Sequence, residues 1–164
     1  MNPIFRNATH ADLPKIVGTY NSTIPSRMVT ADLVPVSIES KEAWFRSHNP
    51  KTRPLWVVEY EGEYAGWVSF TDFKSRDAYR GTAELGIYLE EKFRGKKLGD
   101  ACLAYAIEKS PALGITSLTG FIFGHNEPSL KLFAKHGFER WAFMPGICDM
   151  EGTLRDVVIM GRKV

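Results

Sequence analysis

The chain predicts an α/β domain: a mixed, mostly antiparallel sheet with one central parallel β-α-β crossover and helices on both faces. Three observations carry this expectation. Short apolar runs alternate with segments of helical spacing in the order β-α-α-β-β-β-α-β-α-β-β. In the middle of that order a strand, a helix and a strand follow one another, the pattern of a right-handed parallel crossover. No repeat, low-complexity stretch or linker divides the 164 residues, so one domain over 1–164 is expected.

Ile4 to Asn7 reads as a first strand. Thr9 stands three before Asp12, an acidic variant of the capping box, and Leu13, Ile16, Val17 and Tyr20 follow as one apolar helix stripe. Residues 21 to 36 are polar, β-branched and broken by proline, which predicts a long loop. Ser37 is placed to cap a second helix carrying Trp44 and Phe45, ending near His48-Asn49-Pro50. Leu55 to Tyr60 and Tyr64 to Asp72 flank a tight turn at Glu61-Gly62-Glu63, and Thr82 to Leu89 is a third aliphatic run. Leu98, Cys102, Tyr105 and Lys109 return to helical spacing up to Gly114. Ser117 to Phe123 is nearly continuous and apolar, as in a strand buried on both faces. Asn126-Glu127-Pro128 opens another helix, with Gly137 placed for its left-handed end. Two strands, about 140 to 148 and 154 to 161, close the chain around Met150-Glu151-Gly152.

Composition narrows the function. A net charge of +2, with both signs interspersed, lacks the dense basic face of a nucleic-acid protein. The N-terminal residues have no apolar h-region, and no window approaches 18 uncharged apolar residues, so no membrane association is expected. Cys102 and Cys148 form no CxxC pair and no zinc spacing with any of the four histidines. Buried free thiols in a reducing compartment are expected, hence a cytoplasmic, metal-free protein.

The chemistry concentrates between Glu84 and Asn126. A strand ends at Leu89, then Arg94-Gly95-Lys96-Lys97-Leu98-Gly99 leads into a helix. A basic, glycine-bearing loop at a helix N-terminus suits a phosphate or pyrophosphate, because free N–H groups and the helix dipole both favour an anion. A solvated turn with two surface lysines is the competing reading. Neither a P-loop nor a GxGxxG pattern is present.

This strand–RGKKLG–helix unit resembles the acetyl-CoA-binding motif of the GNAT superfamily, Q/R-x-x-G-x-G/A. Arg94 and Gly99 match, while Lys97 stands at the middle glycine, and a lysine resists positive φ. The chain as a whole is similar to the phosphinothricin and methionine sulfoximine acetyltransferases. The landmarks are Tyr20-Asn21-Ser22, Arg76-Asp77-Ala78-Tyr79, Thr82-Ala83-Glu84, Asn126-Glu127-Pro128-Ser129, Leu132, Gly137-Phe138 and Gly161-Arg162. The resemblance implies a GNAT-like fold and acetyl transfer from acetyl-CoA to the α-amine of a small amino-acid-like acceptor. It also implies a homodimer with the last strands near the interface.

By the same resemblance, the backbone of Ile87, Tyr88 and Leu89 would hold the pantetheine arm. Gly95, Lys96, Lys97, Leu98, Gly99 and Asp100, following Arg94, would cradle the pyrophosphate. Asn126, with Ser129 beside it, would contact the cofactor, and Lys74, Ser75, Arg76 and Glu84 would meet the acceptor. Physical chemistry gives each an alternative. Glu84 is either the general base, acting directly or through a water, or an edge carboxylate facing solvent; its apolar neighbours Ala83, Leu85 and Ile87 favour the base. Asn126 is also a good helix cap, and Arg76 is either a carboxylate clamp or a solvated arginine. A backbone N–H of 87 to 89 would polarise the thioester. No GxSxG or Cys–His pairing offers a nucleophile, so direct attack by the amine is expected. The position of the usual family acid holds Phe133, which cannot donate a proton. A protein N-acetyltransferase and a non-catalytic acyl-CoA sensor remain as other functions. The 21 to 36 loop, able to cover the site, speaks against the first, and retention of Glu84 against the second.

Overall fold

The computed structural model describes residues 2–164. Seven strands form one sheet: β1 (Ile4–Asn7), β2 (Leu55–Tyr60), β3 (Glu63–Asp72), β4 (Thr82–Leu89), β5 (Ser117–Phe123), β6 (Glu139–Met150) and β7 (Thr153–Lys163). Their order is β1-β2-β3-β4-β5-β7-β6. Every pairing is antiparallel except β4 with β5, joined by a crossover through α3 (Leu98–Lys109). The mixed sheet with one central crossover is therefore present.

Alternation along the strands divides two cores. Val58, Val68, Phe70, Ala83 and Leu85 point to α3 and to Phe133 of α4 (Glu127–Lys135). Leu55, Val57 and Trp67 point the other way, to Ile16 of α1 (Leu13–Thr23) and to Trp44 and Phe45 of α2 (Glu42–Arg46). Trp67 is anchored there by an indole N–H donated to the Ile16 carbonyl at 3.0 Å.

Local chemistry sets the element ends. The Asp12 carboxylate accepts from the Thr9 N–H at 2.7 Å and from both Arg6 guanidinium ends at 2.8 and 2.9 Å, which fixes the entry to α1. The expected loop at 21 begins later, because α1 continues to Thr23 and a 3-10 turn carries on to Ser26. Side-chain bonds at 2.6 and 2.7 Å from Ser22 and Thr23 to carbonyls three residues back accompany that extension. The Ser37 hydroxyl does cap the next helical turn, accepting from the Ser40 N–H at 3.1 Å. Gly137 takes its expected left-handed conformation at φ 79°. β5 is buried except at Phe121, and β6 and β7 run longer than expected at both ends.

Candidate active site

The site grows out of one irregularity in the sheet. β4 and β5 pair only at Thr82–Ser117, Ala83–Leu118 and Glu84–Thr119, whereas β3 follows β4 as far as Leu89. Beyond Glu84 the two central strands part. The Gly81 carbonyl accepts from β5-side amides and the Ala83 carbonyl from the Thr119 hydroxyl, while the Glu90 N–H donates to the Ala65 carbonyl of β3. By strand alternation the N–H and C=O groups of Ile87 and Leu89 then face the gap. Those of Tyr88 face β3, so of the three residues expected to offer backbone groups only Ile87 and Leu89 present them to the gap. Gly66 permits this geometry: it takes φ 150° opposite Leu89, and a Cβ on it would lie 2.2 Å from the Tyr88 carbonyl.

At the end of the gap lies the basic loop. Gly95 and Lys97 take φ 77° and 59°, so the lysine adopts the left-handed conformation that suits a glycine. Two constraints hold it there: the Lys97 carbonyl accepts from the Ala101 N–H at 3.2 Å, and the next residue, Leu98, is buried in the core. Among the described residues the amides of Gly95, Lys97, Leu98, Gly99 and Asp100 donate to no carbonyl. Arg94, Gly95, Lys96 and Lys97 are exposed, and among the described residues the two lysines join no ion pair. Free donors with uncompensated cations at the start of a twelve-residue helix fit a pyrophosphate. Two residues of the loop have other partners as well. Asp100 is held by Lys135 and His136 of the α4 end at 2.6 and 2.9 Å, and a Cβ on Gly99 would come within 2.9 Å of Leu132.

Glu84 projects from the α1–α2 face. It makes no hydrogen bond or ion pair among the described residues, and burial raises its pKa above its ordinary value. It lies between two cavities. One, of about 150 Å³, has aromatic walls from Tyr20, Trp44, Trp67 and Tyr88, with Ser69, Thr71 and Lys41 as polar groups. The other lies towards β5, where Val29, Thr30, Phe121, Ile147 and Cys148 line it.

The segment after Ser26 straps over both cavities. Tyr20 hydrogen-bonds Thr30 at 2.5 Å and also donates to Asp32, and Asn21 pairs with the Val36 backbone through two bonds of 2.9 Å. Asn126 serves this strap. Its Oδ1 accepts from the Ser129 N–H at 3.3 Å, the expected cap, and its Nδ2 donates to the Met28 carbonyl at 3.0 Å. Phe133 is core, edge-on to Phe138 at 4.9 Å.

Lys74, Ser75 and Arg76 are not brought to Glu84. They sit exposed on the β3–β4 loop and line neither cavity. Lys41, Tyr20 and Trp44, which line the aromatic cavity, carry no site signal in the sequence, because they gather only when α1 and α2 pack on the sheet. Cys102 is buried, its thiol pushed up to about 12, whereas Cys148 is half-buried at the second cavity. No cluster of three His, Cys, Asp or Glu suited to a metal exists among the described residues, and no helix there is long and apolar enough to cross a membrane.

A sheet that splays between a parallel pair, with an anion-binding loop at one end and a lone carboxylate at the other, is built for an extended phosphate-bearing donor. Known proteins agree. The chain belongs to the acetyltransferase (GNAT) family, whose profile matches residues 20–138. It is 52% identical over 160 residues to YwnH of Bacillus subtilis, provisionally named a phosphinothricin acetyltransferase, covering 97% of this chain and 98% of that protein. It is 30% identical over 161 residues to the L-methionine sulfoximine/L-methionine sulfone acetyltransferase of Pseudomonas aeruginosa, covering 98% and 94%. The crystal structure of a GNAT superfamily phosphinothricin acetyltransferase from Sinorhizobium meliloti in complex with acetyl-CoA superposes with a TM-score of 0.92 at 28% identity, covering 100% of this chain and 89% of that one. The protein is an acetyl-CoA-dependent N-acetyltransferase.

Proposed function

We propose that the chain acetylates the α-amine of a small amino acid bearing a polar tetrahedral side-chain group, of the methionine sulfoximine or phosphinothricin type. The observation that carries this is the unpartnered Glu84 carboxylate at the junction of two strapped cavities. The substrate names borne by the relatives support the acceptor class.

In this reading the free amides of the 95–100 loop and the two lysines hold the pyrophosphate, and the gap-facing backbone of Ile87 and Leu89 pairs with the pantetheine arm. The donor supplies an activated acetyl thioester. One gap-facing N–H, from Ile87 or Leu89, donates to the thioester oxygen as negative charge develops there. Glu84 takes the proton from the acceptor ammonium, directly or through a water, and the amine attacks without a covalent enzyme intermediate. A carboxylate whose pKa burial raises above its ordinary value is a better proton acceptor than an ordinary one. Phe133 offers no proton, so the thiolate leaves as the anion or is protonated by water. The strap closes over a small cavity, which favours a free amino acid over a protein chain.

The same reading includes a cytoplasmic homodimer. Trp141, Phe143 and Ile147 on the edge strand β6 are 43%, 49% and 57% exposed, an apolar stripe suited to a second copy. Light scattering on the purified chain tests the dimer. Thiol release from acetyl-CoA across methionine sulfoximine, phosphinothricin, methionine sulfone and the common amino acids tests the substrate. Turnover of a peptide N-terminus alone overturns the acceptor class and leaves the family standing.

A further inference from the structure

We propose that Lys41 anchors the α-carboxylate of the acceptor, and that the aromatic-walled cavity between α1, α2, β3 and β4 is the acceptor site. The proposal rests on the small-amino-acid reading above.

Lys41 and Glu84 are the two charged residues lining that cavity. A free amino acid carries an ammonium and a carboxylate on neighbouring atoms, so it presents the complementary pair. Glu84 meets the ammonium that must be deprotonated, and Lys41 meets the carboxylate. Lys41 is available for this. No carboxylate lies within ion-pair distance of it among the described residues, and its neighbour Glu42 is taken by His10 at 2.9 Å and Arg46 at 2.8 Å. The ammonium is instead positioned by aromatic faces, 5.4 Å from the Tyr20 ring centre and 5.9 Å from that of Trp44. Such contacts orient a cation without neutralising it.

The alternatives on the molecule are weaker. Among the described residues the second cavity has no cation in its lining, so a carboxylate desolvated there would go unpaired. Arg76 and Lys74 are exposed on the β3–β4 loop and line neither cavity. The assignment also explains selectivity. In a peptide the carboxyl next to the terminal amine is an amide, which leaves the lysine without its counter-ion. Lys41 therefore selects free amino acids over peptides and simple amines.

The test is a comparison of methionine sulfone with its carboxamide, using wild type, Lys41→Met and Lys41→Arg. A charge-assisted contact of this kind predicts that Lys41→Met loses about 10- to 100-fold in kcat/KM on methionine sulfone, mostly in KM. On the carboxamide, wild type and Lys41→Met should agree within about twofold, and the KM for acetyl-CoA should be unchanged. Lys41→Arg should keep most of the activity on the acid. Equal losses on acid and amide would reduce Lys41 to a packing role and overturn the assignment, as would no loss on either. If wild type acetylates free amino acids and Lys41→Met does so equally well, the anchor alone fails. If wild type acetylates no free amino acid, the acceptor reading fails and the anchor with it.

Discussion

Glu84→Gln should separate activity from stability. Glutamine keeps the shape of the side chain and removes its negative charge together with its capacity to take a proton. General-base catalysis contributes about 10² to 10⁴ in rate, equivalent to roughly 2.7 to 5.4 kcal/mol of barrier, so kcat at pH 7 should fall by at least about a hundredfold. The loss should shrink at high pH, where the free amine needs no base. Stability should move the other way. Among the described residues Glu84 has no hydrogen bond or ion pair to lose, and burial alone raises its pKa. For a carboxyl whose folded pKa lies above its unfolded one, ionisation costs stability. That cost appears as pH rises through the unfolded value and is complete above the folded one. The variant should therefore melt no lower than wild type at pH 7, and above it if the cost is large. The assays are thiol release against pH and a calorimetric melt. Wild-type activity at pH 7 would remove Glu84 as base, and a melting point several degrees lower would mean that the carboxylate has a stabilising partner.

Three further outcomes are expected. Lys97→Gly should relieve left-handed strain of about 1 kcal/mol but lose a cation facing the pyrophosphate, whereas Lys97→Ala keeps the strain and loses the same charge; melts and acetyl-CoA calorimetry on both separate the two effects. Gly120→Ala places a Cβ 2.6 Å from the Phe133 ring, a clash that should cost about 1–3 kcal/mol in urea unfolding and be partly rescued by Phe133→Leu. The Arg6 guanidinium holds Asp12 down to about 2 from its ordinary 3.8, so the pair's contribution is fully present above about pH 4 and lost as pH falls towards 2. Asp12→Asn should lose on the order of 1–2 kcal/mol at pH 7, allowing for screening at the half-exposed arginine, with the gap to wild type closing on acidification; a constant gap from pH 7 to pH 3 would refute the linkage.

What the sequence revealed and what it hid follow from the range of the interactions involved. Thr9–Asp12, the Asn126 cap and the Gly137 terminus are contacts within a few residues, and composition is enough to read them. The basic loop is equally local, and so is Glu84 as a charge in an apolar strand. The acceptor cavity is not local. Lys41 and Trp44 meet Ser69, Thr71 and Glu84 only through packing of α2 on a sheet whose order is set by the crossover, and no spacing rule encodes that meeting. Lys74-Ser75-Arg76 is the opposite case: the resemblance implies acceptor contacts for these adjacent donors, yet in this structure they stand exposed on the β3–β4 loop.

One strand supplies most of the proposed machinery, and its period of two explains how. Along β4 the side chains of Glu84, Gly86 and Tyr88 point to the acceptor cavity, while Leu85 points to the α3 core. In the plane of the sheet, the backbone of Ile87 and Leu89 is left over once β5 departs. Base, cavity wall, oxyanion donor and pantetheine partner thus occupy six consecutive residues with no backbone strain among them. Proline at Ile87 would remove a gap-facing N–H without touching Glu84 or Lys41. If that amide is the oxyanion donor, Ile87→Pro should reduce kcat while the KM for methionine sulfone stays near wild type. The β3 ladder loses nothing, because the deleted N–H faces away from it. A wild-type kcat in a folded Ile87→Pro variant would assign the donor to Leu89.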